Sequence, residues 1–231
     1  MPVSIHDACN HGDLDAVRRL LAADPTAVDA DDQHNWRPLF CAALHRHVAI
    51  VRALLAAGAD VSAHDGYALH YAAEVPGNKE IVGLLITHGA LEAHVRPSDA
   101  LSRQFLAALF LAEEERVQAL LARHPELATR RDGRGDDPLH HAARNGDTAI
   151  ARLLIAHGAD VNALTTEQHS VLYCAAGHGH VETVELLLAS GVDANAPFSR
   201  QPTTILEWLA QYPQNPRFAA ITAILQRHLN D

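Results

Sequence analysis

Asp137-Pro138-Leu139-His140-His141-Ala142-Ala143-Arg144-Asn145-Gly146-Asp147, followed by Leu153-Leu154-Ile155-Ala156-His157-Gly158-Ala159-Asp160-Val161-Asn162-Ala163, decides how this chain folds. Pro138 suits the first position of a helix, where its missing N–H costs nothing. Leu139, Ala142 and Ala143 share one helical face. Asn145-Gly146 stops that helix, because Gly adopts the left-handed cap without strain. Ile150, Leu153, Leu154 and Ile155 give a second apolar stripe. Gly158 ends it, and Ala159-Asp160-Val161-Asn162 leads out as an extended finger.

The same pattern occurs one hundred positions earlier: Val17, Leu20-Leu21, Pro25, Pro38-Leu39, Ala42-Ala43, Ile50, Leu54 and Gly58-Ala59-Asp60-Val61 correspond to Val117, Leu120-Leu121, Pro125, Pro138-Leu139, Ala142-Ala143, Ile150, Leu154 and Gly158-Ala159-Asp160-Val161. A shorter unit recurs within each stretch. Leu69-His70-Tyr71-Ala72-Ala73 precedes Leu84-Leu85 and Gly89-Ala90, and Leu172, Ala175-Ala176 precedes Leu186-Leu187-Leu188 and Gly191-Val192-Asp193. Self-similarity at a fixed period predicts a solenoid, whose units bury apolar faces only against their neighbours.

These motifs resemble the ankyrin repeat, whose period is about 33 residues. The resemblance covers nearly the whole chain. It implies an all-α ankyrin-repeat solenoid of about seven helix-turn-helix units, as one domain over 1–231. The expected parts are an N-cap (1–32), repeats at 33–65, 66–97, 98–133, 134–168 and 169–202, and a C-cap (203–231). The departures are specific. The finger between Val61 and Leu69 is about three residues short. The segment 91–99 loses the Gly-Ala-Asp-Val-Asn signature. The unit at 98–129 carries Phe110-Leu111-Ala112 where the first cap has Asn10-His11-Gly12, which predicts a longer first helix. Phe110 and Leu111 either pack between helices or form an exposed apolar patch.

The composition is globular: 48% hydrophobic and 20% charged, with aromatics at 5%. Lys+Arg total 18 against Asp+Glu 28, a net charge of −10, which argues against nucleic-acid binding. Lys79 is the single lysine; the Arg bias suggests a GC-rich, bacterial source. Cys9, Cys41 and Cys174 form no Cys-x-x-Cys pair, and Cys41 and Cys174 hold equivalent core-facing places. This fits a reducing cytoplasm. Met1-Pro2-Val3-Ser4-Ile5-His6-Asp7 has no cationic stretch before an apolar run, so no signal peptide is expected. No apolar run approaches the ~20 residues of a membrane span, so no membrane partner is expected.

The 17 His residues invite a metal reading. Most recur because the repeat recurs: His70 and His140 at the helix opening, His88 and His157 before the helix-ending Gly, His47 and His180 at the inter-helix turn. His140 and His141 point about 100° apart on a helix and do not chelate together. His178-Gly179-His180 could catch adventitious zinc. There is no His-Glu-x-x-His, nucleophile elbow or phosphate loop. No cofactor, metal or catalytic residue is expected, and the chain is read as not an enzyme.

The family resemblance implies binding through finger tips and the exposed side of each first helix. Carried onto this sequence, it gives Gln33, His34, Trp36, Leu44 and His45; then Tyr67, Glu74 and Val75; then Arg134, Asp136, Arg144 and Asn145; then Thr166, Glu167, His169 and His178. Trp36 stands out, since Trp, Tyr and Arg dominate interface energies. Arg130, Arg131 and Arg134 form a basic finger suited to a partner's carboxylate. The expected function is a monomeric protein-interaction module gripping a protein partner, as an inhibitor, immunity-type protein or adaptor. The alternatives are a self-associating structural array, or a metal-dependent activity on the His-rich rows.

Overall fold

The structure, a computed structural model, describes residues 3–75, 77–94, 99–197 and 203–230. They fall into two compact units, Met1–Ser98 and Asp99–Asp231. The first unit contains three helix pairs: α1 (Ile5–His11) with α2 (Leu14–Ala23), α3 (Pro38–Leu44) with α4 (Val48–Ala56), and α5 (Ala63–Glu74) with α6 (Lys79–Thr87). The second contains four: α7 (Ala100–Phe110) with α8 (Glu114–Arg123), α9 (Pro138–Asn145) with α10 (Thr148–Ala156), α11 (Val171–Gly177) with α12 (Val181–Ala189), and α13 (Ile205–Leu209) with α14 (Pro216–Asn230). Among the described residues there is no strand, only isolated bridges pairing Leu164 with Ser170 and Pro197 with Thr204. The all-α helix-pair solenoid is therefore as the repeats imply. No helix is long and apolar enough to cross a membrane.

Within the first unit α1, α3 and α5 pack in one layer, and α2, α4 and α6 in another. Within the second, α7, α9, α11 and α13 form one layer, and α8, α10, α12 and α14 the other. The one-hundred-residue displacement is reproduced in the elements. Short 3₁₀ turns lie at Pro25–Asp29 and Pro125–Thr129, and α3 and α9 open at Pro38 and Pro138. Leu54 and Leu154, at matching places, are both 0% exposed.

The junction between the helices turns through a left-handed residue in each pair from α1–α2 to α11–α12. Gly146 (φ 74°) does so after α9, as expected, while Arg46 (φ 63°) and Ala112 (φ 50°) do so against their side-chain preference. Three junctions are clamped to the preceding pair by the residue just before the second helix. His47 Nε2 bonds the Asn10 carbonyl (3.2 Å), Asn78 Nδ2 donates to the Ala43 carbonyl (3.1 Å), and His180 Nε2 bonds the Arg144 carbonyl (2.9 Å). A Cβ on Gly146 would collide with the His180 ring.

Three local readings are corrected or resolved here. The short finger before Leu69 is wound into the opening of α5, which starts at Ala63 with left-handed His64 (φ 51°) and Gly66 (φ 76°). Tyr67 therefore stands on a helix and not at a finger tip. Phe110 is 4% exposed and packs edge-on against His141 at 5.0 Å between ring centroids, so it belongs to the core of the second unit. Of the irregular segment 91–99, residues 95–98 lie outside the described residues.

Candidate interaction surface

The fingers of the two one-hundred-residue copies are built alike, around one aspartate each. In the first, Asp32 Oδ1 accepts the N–H groups of His34 (2.7 Å) and Trp36 (2.9 Å), and Asp32 N–H donates to the Trp36 carbonyl (3.1 Å). In the second, Asp132 Oδ1 accepts from Arg134 (2.9 Å) and Asp136 (3.1 Å), and Asp132 N–H donates to the Asp136 carbonyl (2.8 Å). The donation from Trp36, followed by that from His34, outweighs the slight desolvation of Asp32 and holds its carboxyl below the ordinary range. Such a turn presents its tip residues outward while its base stays fixed to the helix behind.

In the first unit this places Trp36 on the outside, 43% exposed. Its ring lies 5.5 Å from His34 and 5.1 Å from Phe40; Phe40 meets Tyr71 edge-on at 5.4 Å, and Tyr71 meets Tyr67 at 5.7 Å. Among the described residues the exposed large hydrophobic side chains are Val3, Trp36, Tyr67, Tyr71 and Tyr212, so three of the five share this face. Gln33 and His34 are exposed at the finger tip, with Gln33 Nε2 3.1 Å from His34 Nε2. Leu44 is half-buried at the end of α3, and exposed His45 bonds the Cys41 carbonyl (2.9 Å). Glu74 and Val75 are half-buried; the Glu74 carboxylate lies 3.4 Å from His70 Nε2. Sequence reading named Trp36 and Tyr67 but missed Phe40 and Tyr71. Tyr71 takes the register place that Cys41 and Cys174 occupy, and a phenol is too large to be fully enclosed there. That size mismatch was the available signal.

The second unit differs. Asp136 (6% exposed) and Arg144 (9%) are buried and paired with each other at 3.2 Å, not displayed as the sequence reading placed them. Arg144 also reaches the Cys174 sulfur at 3.7 Å. His141 Nε2 lies 3.2 Å from Asp132 Oδ2, and His140 Nδ1 lies 2.9 Å from Asp137 Oδ1. Burial pushes the Asp137 carboxyl up, but His140, through its side chain, charge and backbone N–H, holds it below the ordinary value. Adjacent acidic and cationic residues on a finger and helix thus satisfy one another within the fold.

What remains outward in the second unit is polar. Arg134 is half-buried at the finger tip, where its carbonyl accepts the Thr166 hydroxyl (3.0 Å). Arg130 pairs with Asp99 (3.3 Å) and Arg131 Nη1 donates to the Gly135 carbonyl (3.3 Å). Thr166 and Glu167 are exposed, His169 and His178 half-buried, and Asn145 half-buried at the end of α9. Desolvation lowers the His169 pKa from its ordinary value. His178 Nδ1 bonds the Cys174 carbonyl (2.9 Å), as His45 bonds that of Cys41, so both belong to the repeat's own bonding pattern. All three cysteines are buried thiols; burial pushes those of Cys9 and Cys41 up to about 12 and about 11.

Comparison with known proteins returns the family-model description "Ankyrin repeats (3 copies)" over residues 5–97 and 105–197. The chain is 32% identical over 176 residues, 75% of its length, to "Ankyrin repeat protein nuc-2" of Neurospora crassa. It is 30% identical over 179 residues, 74% of its length, to "B-cell lymphoma 3 protein homolog" of Mus musculus. Over 84 residues, 36% of its length, it is 39% identical to "Serine/threonine-protein kinase VIK" of Arabidopsis thaliana. It spans only 16%, 40% and 19% of these relatives respectively. The bacterial source suggested by the Arg bias gains no support from them.

Proposed function

This chain belongs to the ankyrin repeat family, and from that premise we propose that it is a non-enzymatic module that binds a protein partner through its fingers and first helices. The observation that supports this most is the gathering of Trp36, Tyr67 and Tyr71 on one face of the first unit. Clustered exposed aromatics mark binding surfaces, since a monomer gains nothing by wetting them. The buried Asp136–Arg144 and Asp132–His141 pairs serve to fix the second unit's finger against its helices, with Thr166 and Glu167 among the exposed groups there and Arg134 half-buried at the finger tip. The finer roles in keeping with this surface are those of an inhibitor, immunity-type protein or adaptor acting in the cytoplasm.

The test is capture of a partner from the native host on immobilised wild-type chain, repeated with Trp36→Ala. The specific partner is expected to be retained by wild type and its affinity to fall by about 2 kcal/mol or more in the variant. Unchanged affinity after Trp36→Ala combined with Arg134→Ala would reject this surface. Light scattering is expected to show a monomer; a filament or dimer would favour the self-associating reading.

A further inference from the structure

We propose that the aromatic cleft of the first unit is a seat for an arginine side chain on a basic segment of the protein partner; this rests on the interaction-module reading above. The cleft is a narrow one, with a cavity volume of about 20 Å³, so a guest lies against its aromatic rim and is not enclosed by it. Trp36, Leu39, Phe40 and Tyr67 line it, with Arg37 and Asp60 among its polar lining. Aromatic faces attract cations placed within about 6 Å of the ring, and a planar guanidinium stacks on them better than an ammonium does.

The charges around the cleft select the sign of the guest. Arg37 lies 3.4 Å from each of three carboxylates, Asp29, Asp31 and Asp60. One guanidinium against three carboxylates leaves two negative charges. All three acids remain partly exposed, at 32%, 45% and 47% of their side chains, so an incoming cation can reach them. Asp60 Oδ1 is occupied by Ser62, from N–H (3.0 Å) and hydroxyl (2.7 Å), and these bonds hold the carboxyl below the ordinary range; Oδ2 faces Arg37. A second guanidinium stacked against Trp36 or Tyr67 would meet the unbalanced carboxylates edge-on, as its fork geometry favours. The net charge of −10 steers a basic segment toward this chain from a distance. An anionic or purely apolar guest would leave the excess charge uncompensated.

The probe is N-acetyl-arginine amide, titrated into the full-length chain while the Trp36 indole N–H is followed by NMR. Its resonance is assigned by comparison with Trp208→Phe. The expected result is a saturable Trp36 shift in the millimolar range. N-acetyl-citrulline amide, of like shape but uncharged, should bind about tenfold more weakly or not at all. Asp60→Asn, which keeps the bonds to Ser62, and independently Asp31→Asn should each weaken the arginine probe about threefold or more. No shift, an equal response to citrulline, or indifference to both Asn variants in folded protein overturns the proposal. If Trp36→Ala abolishes partner capture while the arginine probe gives no shift, the binding face stands and the arginine seat falls. If capture ignores Trp36→Ala, the reading of the face fails, and this inference with it.

Discussion

At the scale of single residues, what decides a side chain's role is whether the fold already supplies its counterpart. Asp137 is the clearest case. His140 holds its carboxyl below the ordinary 3.8 despite burial. A carboxyl depressed in the folded chain stabilises that chain above its unfolded pKa, and the contribution disappears as pH falls through the folded value. Asp137→Asn is therefore expected to lower the denaturation midpoint most at neutral pH, the gap to wild type closing toward pH 3, below the ordinary value of 3.8. A gap that stays constant from pH 7 to pH 3 would contradict the assignment. Gly146 offers a second test. At φ 74° an alanine costs about 1–2 kcal/mol, and its Cβ also displaces the His180 ring from the Arg144 carbonyl. In a His180→Ala background the Gly146→Ala penalty should shrink by about 1 kcal/mol, the worth of that hydrogen bond, in a double-mutant cycle. Side chains whose role follows from repeat register, such as Leu154 and Cys41, were legible in the sequence. Asp136 and Arg144 were not, because a pair of opposite charges eight positions apart reads equally well as two wet groups or as one buried bridge, and only the finger's path brings them to 3.2 Å.

The scale of elements was the most legible, because helix starts, stops and apolar faces recur at fixed offsets. Pro38 and Pro138 open α3 and α9, and Gly58 and Gly158 follow the ends of α4 and α10. Legibility failed where the chain deviates from register. Three missing finger residues could shorten a loop or be absorbed into a helix; the chain takes the second course, and α5 reaches back to Ala63. That change moves Tyr67 beside Tyr71 and makes the aromatic face a feature of a helix and a finger together. The missing glycine after α7 had the other outcome. The turn was kept, and Ala112 adopts φ 50° in place of the glycine. Ala112→Gly is accordingly expected to stabilise the second unit by about 1 kcal/mol, since relief of left-handed strain outweighs the added freedom of the unfolded chain. Thermal melts would check it, and a fall in midpoint would show that the turn depends on the methyl group.

At the scale of the molecule, stability in a repeat architecture is close to a sum of terms between neighbouring layers, so damage should be felt where it is done. The two units carry natural reporters, Trp36 in Met1–Ser98 and Trp208 in Asp99–Asp231. Leu154 is 0% exposed, on α10, which packs between α8 and α12 within the second unit. Leu154→Ala removes buried methyl groups that helices on both sides contact, and should cost about 2–5 kcal/mol. Paired with Trp208→Phe or Trp36→Phe, so that one indole reports at a time, the substitution should shift the transition seen at Trp208 by that amount and the one seen at Trp36 by less. A loss under about 0.5 kcal/mol at Trp208 would place Leu154 outside the packed layers. Equal shifts at both reporters would mean that unfolding is cooperative across all helix pairs and that nearest-neighbour terms do not govern it. If the shift at Trp36 is the smaller one, the binding face around Trp36 keeps its geometry when a repeat of the second unit is damaged. Leu154→Ala should then leave the affinity for the captured partner unchanged under conditions where both units remain folded, separating a stability defect from a defect in recognition.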